Sequence, residues 1–259
     1  MDLKLESYIQ NKTLVFTVTS DGYKYFTWNL WKIIEKLGLP WKLCILCLDK
    51  ESNDFFNRIA VIPSRLYLMN GPKIDHKTPA TFGTTSFKRM NRMKLNALHD
   101  LSQRLDIETL LFLDSDIAIF RDPLPYIHER LAEAPLWLQC DEKKEDTFVC
   151  CDVDRCTNPC TGVIAMRLTE ESRSTFKQLY SIESETWREA VTDQDYIFHR
   201  LKQLQIPHKT LDRGLFPNGT FLTGDRYKVA EPYLLHFNYM MGSQKKQFMK
   251  QKECWFIDV

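Results

Sequence analysis

Residues 110–125 read LLFLDSDIAIFRDPLP. An apolar run ends in two carboxylates, Asp114 and Asp116, separated by Ser115, and apolar sequence then resumes. Two neighbouring carboxylates repel each other and pay for desolvation, and a divalent cation relieves both problems. Hard oxygen donors suit Mn²⁺ or Mg²⁺ better than zinc. Two carboxylates leave most of an octahedron open for phosphate oxygens and water. The plainer alternative is that one aspartate caps a turn and the other is solvated, and Asp122-Pro123 shows that turn chemistry is close by.

The elements around this stretch decide between those readings. TLLFLD (109–114) has the continuous apolar run of a strand covered on both faces. Side chains two apart on a strand share a face, so Asp114 and Asp116 are expected to project together from its carboxyl end. That edge is where open α/β sheets bind ligands. Upstream, TLVFTVT (13–19) reads as a strand ending at the Asp21-Gly22 turn. Phe26, Leu30, Ile33, Ile34 and Leu37 mark one face of a helix stopped by Gly38 and Pro40, and WKLCILCLD (41–49) is a second buried strand. Strand, helix, strand opens a parallel α/β sheet. Residues 63–86 are too poor in apolar side chains to pack and read as a long loop. Residues 86–105 form a helix whose stripe is Met90, Met93, Ala97, Leu98, Leu101 and Leu105, with Lys94 in its middle. A lysine there either snorkels to the surface or pairs with an anion in a site. Further on, 135–140, 162–167 and 232–238 read as strands, 168–180 and 192–204 as helices, and 243–252 as a basic helix or tail. One continuous domain is expected, with a first half over 13–116 and a second over 117–259.

The totals exclude some classes. A net charge of +1 gives no case for nucleic acid, and no apolar run approaches the ~20 residues of a membrane span. The opening MDLKLESYIQNK lacks the apolar core of a secretion signal, which points to a cytoplasmic protein. Cys44 and Cys47 sit in an apolar run and read as buried thiols; Cys150, Cys151, Cys156 and Cys160 lack paired zinc-ligand spacing and read as free thiols, with a disulfide among them open.

LLFLDSDIAIFRDP resembles the DxD signature of GT-A glycosyltransferases, and specifically the nucleotide-diphospho-sugar transferases that include plant xylosyl- and arabinosyltransferases. The other landmarks fall in that family's order: TVTSDG, FKRMNRMKLNAL, NPCTGVIAMR, TDQDYIFHRL and LLHFNYMMGSQKK. The likeness spans roughly residues 13–250 and is one of motif order. NPCTG departs from the usual Asn-Thr-Gly at Asn158.

The resemblance implies a GT-A fold, a Mn²⁺ or Mg²⁺ ion, a UDP-sugar donor and a hydroxyl of a glycan or glycoside as acceptor, with retention of configuration favoured. It implies that Asp114, Asp116 and His236 hold the metal, with Asp114 and Ser115 also near the donor. Lys245, rather than Lys246, would close over the diphosphate, and Lys94 would add charge from inside. Thr17, Thr19, Asp21 and Asp49 stand at strand ends and are candidates for base and ribose contacts. Gly162 would allow close approach of the donor sugar. Asp193 or Asp195 would face the reacting sugar or the acceptor, as a general base under inversion or a stabiliser of positive charge under retention, although Thr192 followed by two acids also reads as an ordinary helix cap. The rival readings are an aspartyl-nucleophile phosphohydrolase and a non-catalytic nucleotide-sugar-binding protein.

Overall fold

The computed structural model describes residues 4–60, 62–67, 84–141, 159–176, 192–219, 231–240 and 242–258. Most of the expected 63–86 loop, and Cys150, Cys151, Cys156 and Asn158, lie outside the described residues.

The first strand, β1 (Thr13–Thr19), is followed by α1 (Lys24–Leu37), β2 (Leu43–Cys47), the short α2 (Lys50–Asp54) and β3 (Arg65–Leu66). Helix α1 ends where Gly38 adopts φ +60°, a left-handed conformation that glycine takes at no steric cost. Then come α3 (Thr85–Ser102), β4 (Thr109–Leu113), β5 (Ile117–Ile119), α4 (Leu124–Leu131), β6 (Leu136–Cys140) and β7 (Pro159–Arg167). The remaining elements are α5 (Glu170–Ser174), α6 (Asp193–Leu204), β8 (His208–Thr210), β9 (Leu234–His236) and α7 (Gly242–Gln251).

The central sheet runs β3-β2-β1-β4-β7-β6-β8. It is mostly parallel; only β7 runs against its neighbours β4 and β6. Alternation along β4 explains its unbroken apolar sequence: Leu110 and Phe112 pack in one core with Leu14, Phe16, Leu95 and Leu98, while Leu111 and Leu113 pack in the other with Val15, Leu30 and Ile45. Cys44 and Cys47 are buried thiols outside any disulfide, as their setting predicts. Burial pushes the Cys47 thiol up to about 12.

Three short strands, β3, β5 and β8, carry too few residues to announce themselves in the sequence. Of these β5 matters most, because it corrects the expected course of the DxD stretch. Strand β4 stops at Leu113, Ser115 and Asp116 form a turn, and β5 begins at Ile117. Asp114 and Asp116 therefore meet through a turn and not through the period of one strand. The turn is pinned at both ends: Asp114 N donates to Gly162 O at 2.8 Å, and Phe237 N donates to Asp116 O at 3.1 Å. Strand β5 pairs antiparallel with β9, setting Ile117 opposite His236. This small ribbon brings a histidine 120 residues downstream onto the carboxylates. Leu105 is a further correction: α3 ends at Ser102, and Leu105 is 92% exposed.

Candidate active site

At the carboxyl edge of the central sheet lies a cavity of about 720 Å³, walled by the end of β1, α3, the DxD turn, the start of β7, the start of α6 and the residues after β9. Asp114, Ser115, Asp116, Gly162, His236, Lys94, Lys245, Thr19, Asp193 and Asp195 all line it. Thr17, Asp21 and Asp49 do not.

Three side chains converge on one point. His236 Nε2 lies 3.4 Å from Asp116 Oδ1 and 3.6 Å from Asp114 Oδ2. One ligand atom from each of the three residues falls within 4.8 Å of the others. Two carboxylates and an imidazole are the donors that a hard octahedral cation accepts, so the residues fit the expected ion.

The two carboxylates differ in setting. Asp116 is buried, and although burial opposes its charge, Lys245 Nζ and His236 together hold it far below the usual carboxylate range. Asp114 is shifted upward, because burial and its acidic neighbours outweigh Lys94 and His236. For His236, burial disfavours the charged ring, but Asp116 more than offsets this and lifts it to about 10.

Lys94 does not snorkel. The residue is 5% exposed, and its ammonium lies 3.1 Å from Asp114 Oδ1 and 2.8 Å from Asp193 Oδ2 and donates to Thr161 O at 2.8 Å. Thr161 Oγ1 also donates to Asp193 Oδ2 at 2.7 Å. Lys245 is buried against Asp116, while Lys246 lies over the Trp255 ring at 5.3 Å.

Other candidates are engaged in architecture. Both carboxylate oxygens of Asp49 accept backbone N–H groups, from Ser52 and Asp21, each at 2.8 Å. Asp49 thus caps α2 and ties the loop after β1 to the loop after β2. Asp21 pairs with Lys24 at 2.5 Å, and Thr17 is fully buried. Asp195 completes a capping box: its Oδ2 accepts from Thr192 N at 2.9 Å and Thr192 Oγ1 at 2.8 Å. The helix-cap reading of Thr192-Asp195 therefore accounts for Asp195, whereas Asp193 turns toward Lys94. At Gly162 a Cβ would lie 1.9 Å from His236 Cε1. The close approach that this glycine permits is that of the imidazole ring.

Gly162→Ala is accordingly expected to expel the His236 ring. Overpacking of this kind costs about 1–3 kcal/mol in stability. Calorimetric titration with Mn²⁺ should show at least a tenfold loss of affinity in a variant that still melts cooperatively. Wild-type affinity would mean that the ring does not need this cradle.

Sequence reasoning missed Tyr23, Asn91, Asp141, Thr161, Gln194, Asn238 and Tyr239, all of which line the cavity. Asp141 accepts from Asn218 Nδ2 at 2.5 Å and from the Tyr239 hydroxyl. Burial raises its carboxyl, with Tyr239 opposing. The one legible signal was position, since Asp141 directly follows the strand LWLQC.

A mostly parallel sheet with an Asp-x-Asp turn at its ligand edge is the arrangement of GT-A glycosyltransferases. Residues 41–249 match the model of the nucleotide-diphospho-sugar transferases, and the chain belongs to that family. A UDP-galactose:fucoside alpha-3-galactosyltransferase of Dictyostelium discoideum is 24% identical over a 307-residue alignment that takes in all of this chain. The chain spans 45% of that relative's length. The structure resembles that of the galactosyltransferase LgtC in complex with donor and acceptor sugar analogs, at TM-score 0.57 and 13% identity, covering 95% of this chain and 97% of that one. It also resembles mouse xyloside xylosyltransferase 1, at TM-score 0.54 and 10% identity, covering 88% of this chain and 98% of that one. These likenesses establish the GT-A fold, and the family model places the chain among the nucleotide-diphospho-sugar transferases. Among the described residues no helix is long and apolar enough to cross a membrane.

Proposed function

We propose that the chain transfers a sugar from a UDP-sugar to a hydroxyl of a glycan or glycoside, with dependence on a divalent cation and retention of anomeric configuration. The convergence of Asp114, Asp116 and His236 at the edge of the cavity carries this reading. Bound there, Mn²⁺ or Mg²⁺ would balance charge developing on the departing diphosphate. Lys245, placed against Asp116, is within reach of the same charge, and Lys94 supplies a fixed positive charge behind the site.

The retaining outcome rests on Asp193. Its Oδ2 receives the Lys94 ammonium and the Thr161 hydroxyl, which fix the carboxylate at the edge of the cavity. Held there, Asp193 is placed to stabilise positive charge on a reacting sugar. Galactose is the first donor sugar to test, since the Dictyostelium relative and LgtC are both named galactosyltransferases.

The test has two stages. Calorimetry of UDP with and without Mn²⁺ should show binding that needs the ion. UDP release from UDP-galactose, and then from other UDP-sugars, should follow in the presence of Mn²⁺. Binding without release from any donor would favour the non-catalytic alternative. No binding of UDP under any metal condition would overturn the UDP assignment.

A further inference from the structure

Gln139 is a fully buried amide inside the apolar strand β6, beyond the ring of residues that line the cavity. Its position follows from an irregularity in the sheet. Leu138 pairs with Ile164 of β7, but Gln139 pairs with Cys160, so Thr161, Gly162 and Val163 drop out of the ladder with β6. The dropped residues carry the Gly162 cradle, and Gln139 is aimed at the far side of the ring that the cradle holds.

The hydrogen bonds fix the chemistry without ambiguity. Gln139 Nε2 donates to two backbone carbonyls, Phe216 O at 2.8 Å and Pro217 O at 3.2 Å. Carbonyls only accept, so the amide nitrogen must face them and Oε1 must face the other way. Oε1 lies 2.8 Å from His236 Nδ1. An amide oxygen also only accepts, so Nδ1 must carry its proton. A neutral His236 then has its lone pair on Nε2, the atom that faces Asp114 and Asp116. Pro217 O further accepts from His236 N at 3.0 Å, so one carbonyl anchors both the relay and the backbone of the ring it orients. The rival neighbour of Nδ1, Cys160 Sγ, is more distant at 3.8 Å.

We propose that Gln139 is a positioning residue for the cation site: through the Phe216 and Pro217 carbonyls it locks His236 with Nδ1 protonated and Nε2 free to ligate. This rests on the cation-dependent reading given above. Partners of this kind, one step behind a ligating histidine, are worth about 10–100-fold in metal affinity.

Two substitutions separate the relay from mere packing. Gln139→Met and Gln139→Glu both remove the amide donors to Phe216 O and Pro217 O, but only glutamate keeps an acceptor for Nδ1–H. The probe is Mn²⁺ alone, measured by calorimetry and by the electron-spin signal of the free ion, with a thermal melt of each variant. Gln139→Met should bind Mn²⁺ about 10–100-fold more weakly than wild type, and Gln139→Glu should stay within threefold of wild type or bind more tightly. Equal weakening in both variants, or none in Gln139→Met, overturns the relay and leaves the cation site standing. Wild-type protein that binds no Mn²⁺ overturns the cation site and the relay together. If Gln139→Met does not fold, the imidazole ¹⁵N spectrum of wild type loaded with Mg²⁺ decides. A protonated Nδ1 on His236 supports the relay, and a bare Nδ1 overturns it.

Discussion

Asp116→Asn is expected to lower sugar transfer by about 10³-fold, the scale on which loss of one preorganised electrostatic group is felt, and to abolish Mn²⁺-dependent binding of UDP. The substitution preserves volume, so the DxD turn, held by the Asp116 carbonyl and not by its side chain, keeps its shape. What disappears is the charge. Asp116 is the carboxylate that its surroundings keep ionised most strongly, with Lys245 on one oxygen and His236 beside the other. A neutral amide offers one acceptor and no charge to hold a cation. Asp114→Asn should be milder. Asp114 is half-buried and already shares its charge with Lys94, and its carboxyl sits above the usual range. The check is kinetic and thermodynamic at once, with turnover and UDP affinity measured across a Mn²⁺ series for wild type and both variants. An Asp116→Asn enzyme retaining a tenth of wild-type turnover would remove Asp116 from the site.

The carboxylates were legible in the sequence because their context was unusual: charge at the end of an apolar run has few explanations. The strands β1 and β4 and the helices α1 and α3 could be read for the same reason, since both faces of β4 and one face of each helix are covered and the periodicity says so. Lys94 was visible as an anomaly in an apolar stripe, but only the fold shows that Asp114 and Asp193 answer it. The rest depended on pairings distant in sequence. No local pattern says that Ile117 will sit opposite His236, or that a slip between Leu138 and Gln139 will release Gly162 to receive an imidazole. The polar residues at strand ends and helix starts share one feature. Asp49, Asp21 and Asp195 have the right chemistry to contact a ligand, and backbone N–H groups or a neighbouring lysine also engage them. At the end of a strand or the start of a helix, the free donors of the chain compete with any ligand for a carboxylate.

The same accounting predicts a large stability cost for the loss of the Lys94 charge. Lys94→Met preserves the stem that carries the ammonium to 4.4 Å from the centre of the Phe112 ring, and removes only the charge. Three acceptors then lose their donor at once: Asp114 Oδ1, Asp193 Oδ2 and Thr161 O. Asp193 is 9% exposed at its side chain and keeps only the Thr161 hydroxyl among these partners, while Asp114 at 31% can turn toward water. Breaking a buried pair from one side costs about 3–5 kcal/mol, and the partial exposure of Asp114 places this case near about 3 kcal/mol. Urea denaturation of the protein without added metal should show the loss as a lower midpoint with an unchanged slope. Pairing the change with Asp193→Asn tests the cause, because removing the stranded charge should restore part of the loss. A double variant no more stable than Lys94→Met alone would mean that the lysine contributes through packing and not through the two carboxylates it holds.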